Sequence, residues 1–301
     1  MSNYTNPPIG SNGPPILTGR EYLALPRDPH TWLIRSLLPI GGTLLLYGDP
    51  KVGKSYLGIQ LALAIQEGTD WLGFDSVVRG PVVYVQLDTP RSLWADRIGQ
   101  LRDSGYQSVD NLLLADRETL QTWPFDILHP DHFTLLRSSI QACNPVAVII
   151  DTLRESHRNE ENSSTEMKEV VSQLVACCQP AATILIHHAR KANYESGPDL
   201  IDDARGGYSV GAVDGIVRLT KKGLYYVGRS IEEGTLKVSR MDNGLWSPDD
   251  DEVRARKEGI RVVLEDSTLT TERARARALA TRLGVSEEGA RSILRRNKKG
   301  D

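Results

Sequence analysis

The sequence predicts an α/β fold, a mainly parallel twisted sheet with helices on its faces, followed by a small helical domain at the C-terminal end. Three observations carry this. From about residue 17 to residue 246 short apolar runs alternate with helical patterns, as the strands and crossover helices of a parallel sheet do. Within that region Leu44-Leu-Leu-Tyr-Gly-Asp-Pro-Lys-Val-Gly-Lys-Ser55 runs an apolar strand into Gly-x-x-x-x-Gly-Lys-Ser and then into a helix. Finally, Ser247-Pro-Asp-Asp-Asp251 is an acidic, turn-forming break that reads as a domain boundary.

The 301 residues exceed a single core of ~150–250 residues and leave room for a small second domain. The organisation expected is a tail over 1–16, a sheet domain over 17–247, and a linker with a helix-turn-helix-like domain over 248–301. The tail carries Pro7, Pro8, Pro14 and Pro15 among Asn, Ser and Gly, too little apolar surface to order itself. Strands are expected at 43–47, 81–87, 146–150, 183–186 and 212–219, with helices near 52–66, 92–103, 131–142 and 163–178. The first helix puts Leu57, Leu61 and Ile65 on one stripe and stops at Gly68. Ser163 with Glu166 makes a capping box for the last, and Val170, Val171, Leu174 and Val175 follow at helical spacing. Beyond residue 219 the runs 224–229 and 235–240 suggest an antiparallel hairpin. A helix near 252–265 precedes two more, 271–283 and 287–296, separated by Gly284-Val285-Ser286 as turn and N-cap. Leu279, Leu283, Val285, Ile293 and Leu294 would form their core.

Composition is that of a soluble globular chain, 40% hydrophobic and 25% charged. No apolar run approaches the ~18 residues of a membrane span, and there is no secretory leader. Three cysteines form neither a disulfide framework nor a metal pattern, so a reducing, cytoplasmic setting is expected. A net charge of −3 gives no global attraction to nucleic acid. Any such contact must come from local patches, of which the C-terminal one, with Arg291, Arg295 and Arg296, is the strongest. It suits a phosphate backbone, although a helical hairpin used for protein contacts would look the same.

The glycine-rich loop is the phosphate site of a nucleoside triphosphate, formed by Gly48, Asp49, Pro50, Lys51, Val52, Gly53, Lys54, Ser55 and Tyr56. Backbone N–H groups cradle the phosphates at a helix N-terminus, Lys54 brings charge to the β/γ-phosphates, and the Ser55 hydroxyl is set to hold Mg²⁺. The strand 146–150 delivers Asp151 at its C-terminal edge, the expected partner of Ser55 on the metal. Strand 81–87 delivers Asp88, whose carboxylate would orient or deprotonate an attacking water or cap the following helix; the two roles can coexist. His187 and His188 end the strand 183–186; without a ligand cluster they suit a γ-phosphate contact better than zinc. The aperiodic stretch 191–209 is long enough to be a functional loop.

Six segments in order carry a resemblance. Leu46-Tyr-Gly-Asp-Pro-Lys-Val-Gly-Lys-Ser55, Val82-Val-Tyr-Val-Gln-Leu-Asp88, Ile149-Ile-Asp-Thr-Leu153, Ile186-His-His-Ala-Arg-Lys191, Arg205-Gly-Gly-Tyr-Ser209 and Gly211-Ala-Val-Asp214 resemble RecA-like P-loop ATPases of the RepA-type hexameric replicative helicase group. The likeness runs from about Trp32 to Trp246. It implies ATP and Mg²⁺ as cofactors, Asp88 as the catalytic acidic residue and His188 as γ-phosphate sensor. It also implies a channel loop over 191–209, with Arg190, Lys191 and Arg205 near DNA phosphates, and Arg229 as an arginine finger given to the neighbouring subunit. The implied activity is that of a ring-forming motor on single-stranded DNA, a helicase of a phage, plasmid or mobile replicon, with a replication protein as a further partner. An ATP-gated DNA-binding or recombination factor without unwinding is the alternative, and a DNA-holding regulator that hardly turns over ATP is a third reading. One departure weighs on the motor. The group carries glutamate where this chain has Asp88, and a carboxylate set back by about 1 Å can slow the reaction as much as ~10²-fold.

Overall fold

A computed structural model of the protein describes residues 17–25, 32–74, 76, 78–104, 106, 108–122, 124–159, 164–189, 213–248, 259, 262–264, 266, 268–283, 287, 290–291 and 294. The chain divides into two compact units, Met1–Thr31 and Trp32–Asp301. The expected tail, 1–16, lies outside the described residues. The first unit contains a short helix, α1 (Gly19–Ala24), started by a reciprocal capping box between Thr18 and Glu21.

The second unit is built on an eight-stranded sheet. In chain order its strands are β3 (Thr43–Gly48), β4 (Val82–Gln86), β5 (Leu112–Asp116), β6 (Ala147–Asp151), β7 (Ala182–His188), β8 (Gly215–Thr220), β9 (Gly223–Gly228) and β10 (Ile231–Leu236), preceded by a small pair, β1 (Trp32–Ile34) and β2 (Leu38–Pro39). The spatial order is β10-β9-β8-β3-β7-β6-β4-β5. Neighbours from β5 across to β8 are parallel, while β8–β9 and β9–β10 are antiparallel. This is the mainly parallel sheet the sequence predicts, a RecA-like P-loop core.

The central strands are buried on both faces, which is why they read as unbroken apolar runs. Alternate residues nonetheless serve different cores. Leu44, Leu46, Val82, Tyr84, Ile149 and Ile184 pack with α2 (Lys54–Glu67) and α3 (Arg91–Arg102). Leu45, Tyr47, Val83, Val85, Ile150 and Leu185 pack with α5 (Pro130–Cys143) and α6 (Ser164–Cys178). Between α3 and α5 lies a single turn, α4 (Arg117–Leu120).

Several expectations are revised. The stripe Leu57, Leu61, Ile65 is not a stripe: Ile59, Gln60, Ala62, Leu63, Ala64 and Gln66 are buried as well, because sheet, α3 and a late strand surround α2. Strand β5 went unpredicted, since a short apolar run does not separate an edge strand from helix or loop. The run 235–240 is two strands. Its first part ends β10 on β9; its second, β11 (Val238–Arg240), leaves the main sheet to pair with β12 (Trp246–Pro248).

Near the C-terminal end α7 (Glu272–Leu283) agrees with the predicted 271–283, and Thr271 Oγ1 caps it by accepting from the Ala274 N–H at 3.1 Å. Leu279 and Leu294 are buried together with Val263, Ala276, Ala280 and Ala290. The turn Gly284-Val285-Ser286, Ile293, Ser163 of the predicted capping box and most of 252–265 lie outside the described residues. No helix among the described residues is long and apolar enough to cross a membrane.

Candidate active site

Parallel register brings the site together. Gly48 at the end of β3 lies opposite His188 on β7, Asp151 on β6 lies opposite Ile186 on β7, and Gln86 on β4 lies opposite Asp151. The C-terminal ends of four neighbouring strands therefore deliver Gly48, His188, Asp151 and, two residues past Gln86, Asp88 to one edge of the sheet, where open α/β sheets bind ligands.

The loop between β3 and α2 needs its glycines. A Cβ on Gly48 would lie 2.2 Å from the Leu219 carbonyl oxygen on β8. Gly53 takes a left-handed conformation (φ 103°) that turns the chain into α2 at Lys54. Lys54 is buried, and its Nζ donates to the carbonyls of Gly48 (3.0 Å) and Asp49 (2.9 Å). His188 Nδ1 sits 3.2 Å from the same ammonium and accepts from it. Burial pushes the Lys54 pKa down to about 8, against the attraction of Asp151, Asp49 and Asp88, which holds it up.

Asp151 is almost wholly buried, and burial raises its pKa. Hydrogen bonding from Ser55 and from Tyr84, whose hydroxyl donates to Oδ2 at 2.9 Å, lowers it, while the charge of Asp88 raises it again. The second oxygen, Oδ1, is buried with no hydrogen-bond partner. An orphaned carboxylate oxygen beside a serine hydroxyl is a donor set that suits a hard divalent cation, so Ser55 and Asp151 fit the Mg²⁺ expected there.

Asp88 is exposed at the strand end, and its charge acts on both Lys54 and Asp151. It does not cap α3, whose N-cap is Pro90 without a side-chain hydrogen bond. Its loop is held in place: the Leu87 N–H donates to the Asp151 carbonyl (2.7 Å), the Thr89 N–H to Gln86 Oε1 (3.0 Å), and Arg117 Nη2 to the Asp88 carbonyl (3.5 Å). The Ala189 N–H, just past His188, donates to the Gly48 carbonyl (3.0 Å).

Arg229 is elsewhere. Its Nε pairs with Asp214 Oδ1 at 3.0 Å, and Asp214 accepts from the Thr43 N–H at the start of β3. From Thr43 to Gly48 the strand runs about 17 Å at ~3.3 Å per residue, so Arg229 lies at the opposite end of the sheet from the phosphate loop. Its side chain is 69% exposed. Of the residues expected to meet DNA, Arg291 is half-buried and pairs with Glu287 at 4.0 Å. Arg190, Lys191, Arg205, Arg295 and Arg296 lie outside the described residues.

Sequence reasoning missed several groups around the loop. Tyr84 orients Asp151, and an isolated hydroxyl in an apolar strand was its one signal. Gln60 of α2 exchanges two hydrogen bonds with the backbone of Trp246, both 2.8 Å, and Trp246 Nε1 donates to the Gly53 carbonyl at 3.4 Å. Nothing local links residues 186 positions apart.

Residues 14–194 match the AAA domain family model. The DNA repair protein RadA of Bacillus subtilis (strain 168) is 23% identical over 263 residues, covering 84% of this chain and 48% of RadA. This chain thus spans about half the length of that relative. The KaiC-like protein PH0186 of Pyrococcus horikoshii OT3 superposes with a TM-score of 0.49 and 15% identity over 74% of this chain and 99% of that one. The family match takes in more than half of the chain, including the phosphate loop, Asp88, Asp151 and His188, and the chain belongs to the AAA domain family.

Proposed function

We propose that the chain hydrolyses ATP at this sheet edge and uses the turnover to drive a motor on single-stranded DNA. Copies assemble as a ring, of the hexameric replicative helicase kind, with nucleotide between neighbours. The observation that carries this reading is the convergence of one buried ammonium, two carboxylates and a histidine on a phosphate loop. Lys54, now hydrogen-bonded to its own loop's carbonyls, exchanges them for phosphate oxygens when nucleotide enters. Ser55 and Asp151 would hold Mg²⁺, which would supply positive charge to the β/γ-phosphates. Asp88 orients a water and accepts its proton. His188 hydrogen-bonds the γ-phosphate and passes its loss to the 191–209 segment. Arg229, too far from its own loop, acts on a neighbour's nucleotide after leaving Asp214.

Action on DNA draws support from the name of the relative RadA, a DNA repair protein, and from the basic residues Arg190, Lys191, Arg205, Arg291, Arg295 and Arg296. Asp88, shorter than the glutamate of the helicase group, favours one second reading, an ATP-gated DNA-binding or repair factor that does not unwind.

Unwinding of a forked duplex separates the two. Wild type should hydrolyse ATP faster with single-stranded DNA and open the fork; Lys54→Ala should do neither, and Asp88→Asn should lose at least ~10-fold in turnover. DNA-stimulated hydrolysis without unwinding on either fork polarity would establish the gated factor, and hydrolysis indifferent to DNA would refute both.

A further inference from the structure

Gln86 ends β4 with its side chain buried and half of its carboxamide unpaired. Only 1% of the residue is exposed. Its Oε1 accepts the Thr89 N–H at 3.0 Å, across the turn that carries Asp88. A backbone N–H can only donate, so this bond fixes which end of the carboxamide is oxygen and leaves Nε2 on the other side. Among the described residues Nε2 is buried and has no hydrogen-bond partner. A buried amide N–H₂ without an acceptor is costly, and where one is kept a functional role is among the first explanations.

Register and alternation narrow down where the missing acceptor comes from. Tyr84, two residues earlier on β4, and Ile149 on β6 pack in the core under α2 and α3, so alternation puts Gln86 and Asp151 on that same face. Register sets Gln86 between Asp116 of β5 and Asp151 of β6. Asp116 is well supplied: Arg91 Nε (2.6 Å), Arg91 Nη2 (2.7 Å) and the Thr119 N–H (2.8 Å) all donate to its carboxylate. Asp151 is not, since its Oδ1 is as bare as Nε2. The two bare atoms need opposite partners, Oδ1 a cation or a donor and Nε2 an acceptor oxygen. A metal-bound triphosphate brings both.

We propose that Gln86 is a positioning residue for Asp88. With triphosphate bound, Nε2 donates to a γ-phosphate oxygen while Oε1 keeps hold of the Thr89 N–H, so the carboxamide straps the Asp88 turn to the nucleotide. Arg97 steadies the same turn from α3, its Nη1 donating to Thr89 Oγ1 at 3.3 Å. A carboxylate one methylene shorter than glutamate depends the more on where its backbone is held. This role rests on ATP being hydrolysed at this sheet edge, and the measurements keep the two apart.

The test uses the full chain with Mg²⁺ and either ADP or the non-hydrolysable β,γ-imido analogue of ATP. In wild type, amide hydrogen exchange at Thr89 should slow roughly 10-fold with the analogue and little with ADP. Unchanged exchange with the analogue bound would overturn the strap. Gln86→Glu keeps the acceptor for Thr89 and replaces the donor with oxygen; Gln86→Met keeps the length and removes both. Each should weaken the analogue roughly 5-fold relative to ADP and lower kcat roughly 10-fold. In an Asp88→Asn background Gln86→Met should cost less than about 2-fold more, because both changes act through one carboxylate. A Gln86→Glu protein as fast as wild type would make Gln86 a turn support alone and overturn the proposal, and so would fully additive losses in the double variant. Should neither variant fold, the wild-type exchange result still decides. If wild type neither binds the analogue nor hydrolyses ATP, the hydrolysis reading falls and takes the strap with it, whereas normal hydrolysis with unresponsive variants removes the strap alone.

Discussion

Lys54 shows how a single residue links burial to nucleotide affinity. Its pKa, ordinarily near 10.5, falls to about 8 chiefly because burial penalises the ammonium, and Asp151, Asp49 and Asp88 keep it from falling further. A lysine depressed in the folded state binds its proton less tightly there than in the unfolded chain. The nucleotide-free fold therefore bears this penalty in full below about pH 8 and sheds it as pH rises toward 10.5. Triphosphate needs the charged form. Above about pH 8 binding must recapture a proton, so ATP affinity should drop with rising pH by as much as ~10-fold per unit until the bound-state pKa is reached. Dissociation constants measured from pH 7 to 9.5 check this; Lys54→Ala should bind weakly and lack the dependence. The lysine itself was legible in the Gly-x-x-x-x-Gly-Lys-Ser spacing, but its depressed pKa was not, because it depends on what three other strands bring around it.

At the scale of elements, the loop depends on a strand far from it in sequence. The Gln60 amide takes the place of a neighbouring strand, accepting from the Trp246 N–H and donating to the Trp246 carbonyl, and it is buried while doing so. Trp246 in turn rests on Gly53, where an added Cβ would lie 3.1 Å from its ring. Gln60→Leu keeps the volume and strands both backbone groups of Trp246 without partners, so it should cost about 2–4 kcal/mol of unfolding free energy. Urea denaturation would measure it. If β12 also steadies the loop, nucleotide affinity falls alongside stability, and an unchanged midpoint would show that water replaces the amide. The strands β3, β4, β6, β7 and β8 were readable because burial on both faces forces continuous apolar runs. β5 and β12 were not, since β5 is a half-exposed edge strand and β12 is three residues long and paired outside the main sheet.

Across the whole molecule, the sheet separates two kinds of group. Phosphate chemistry collects where β3, β4, β6 and β7 end, whereas Asp214 and Arg229 sit where β3 and β8 begin. If Arg229 is the proposed finger, it cannot serve its own loop from that end and must act on a neighbouring copy. The C-terminal segment belongs to the same question. Deleting residues 249–301 removes Arg291, Arg295 and Arg296 with the other basic residues there. If they hold DNA phosphates, affinity for single-stranded DNA should fall, and the slope of log K against log salt should flatten by about 0.7 for each phosphate no longer neutralised. Fluorescence titrations at several salt concentrations would test this, and an unchanged slope would assign the segment to protein contacts.

Sequence by itself determined the chemistry of the loop, the parallel α/β class and the order in which Lys54, Ser55, Asp88, Asp151 and His188 occur. These are local matters: a glycine spacing, an apolar run and a carboxylate or histidine at its end each leave a mark within a few residues. Only the tertiary structure decided that His188 meets Lys54, that Tyr84 and Ser55 share Asp151, that Asp88 is no helix cap, and that Arg229 stands at the far end of the sheet. It alone brought Arg97 and Arg240 to Tyr56 and Gln60 to Trp246. Strand order, register and burial create those contacts between distant residues, and no periodicity along a single chain encodes which strand will lie beside which.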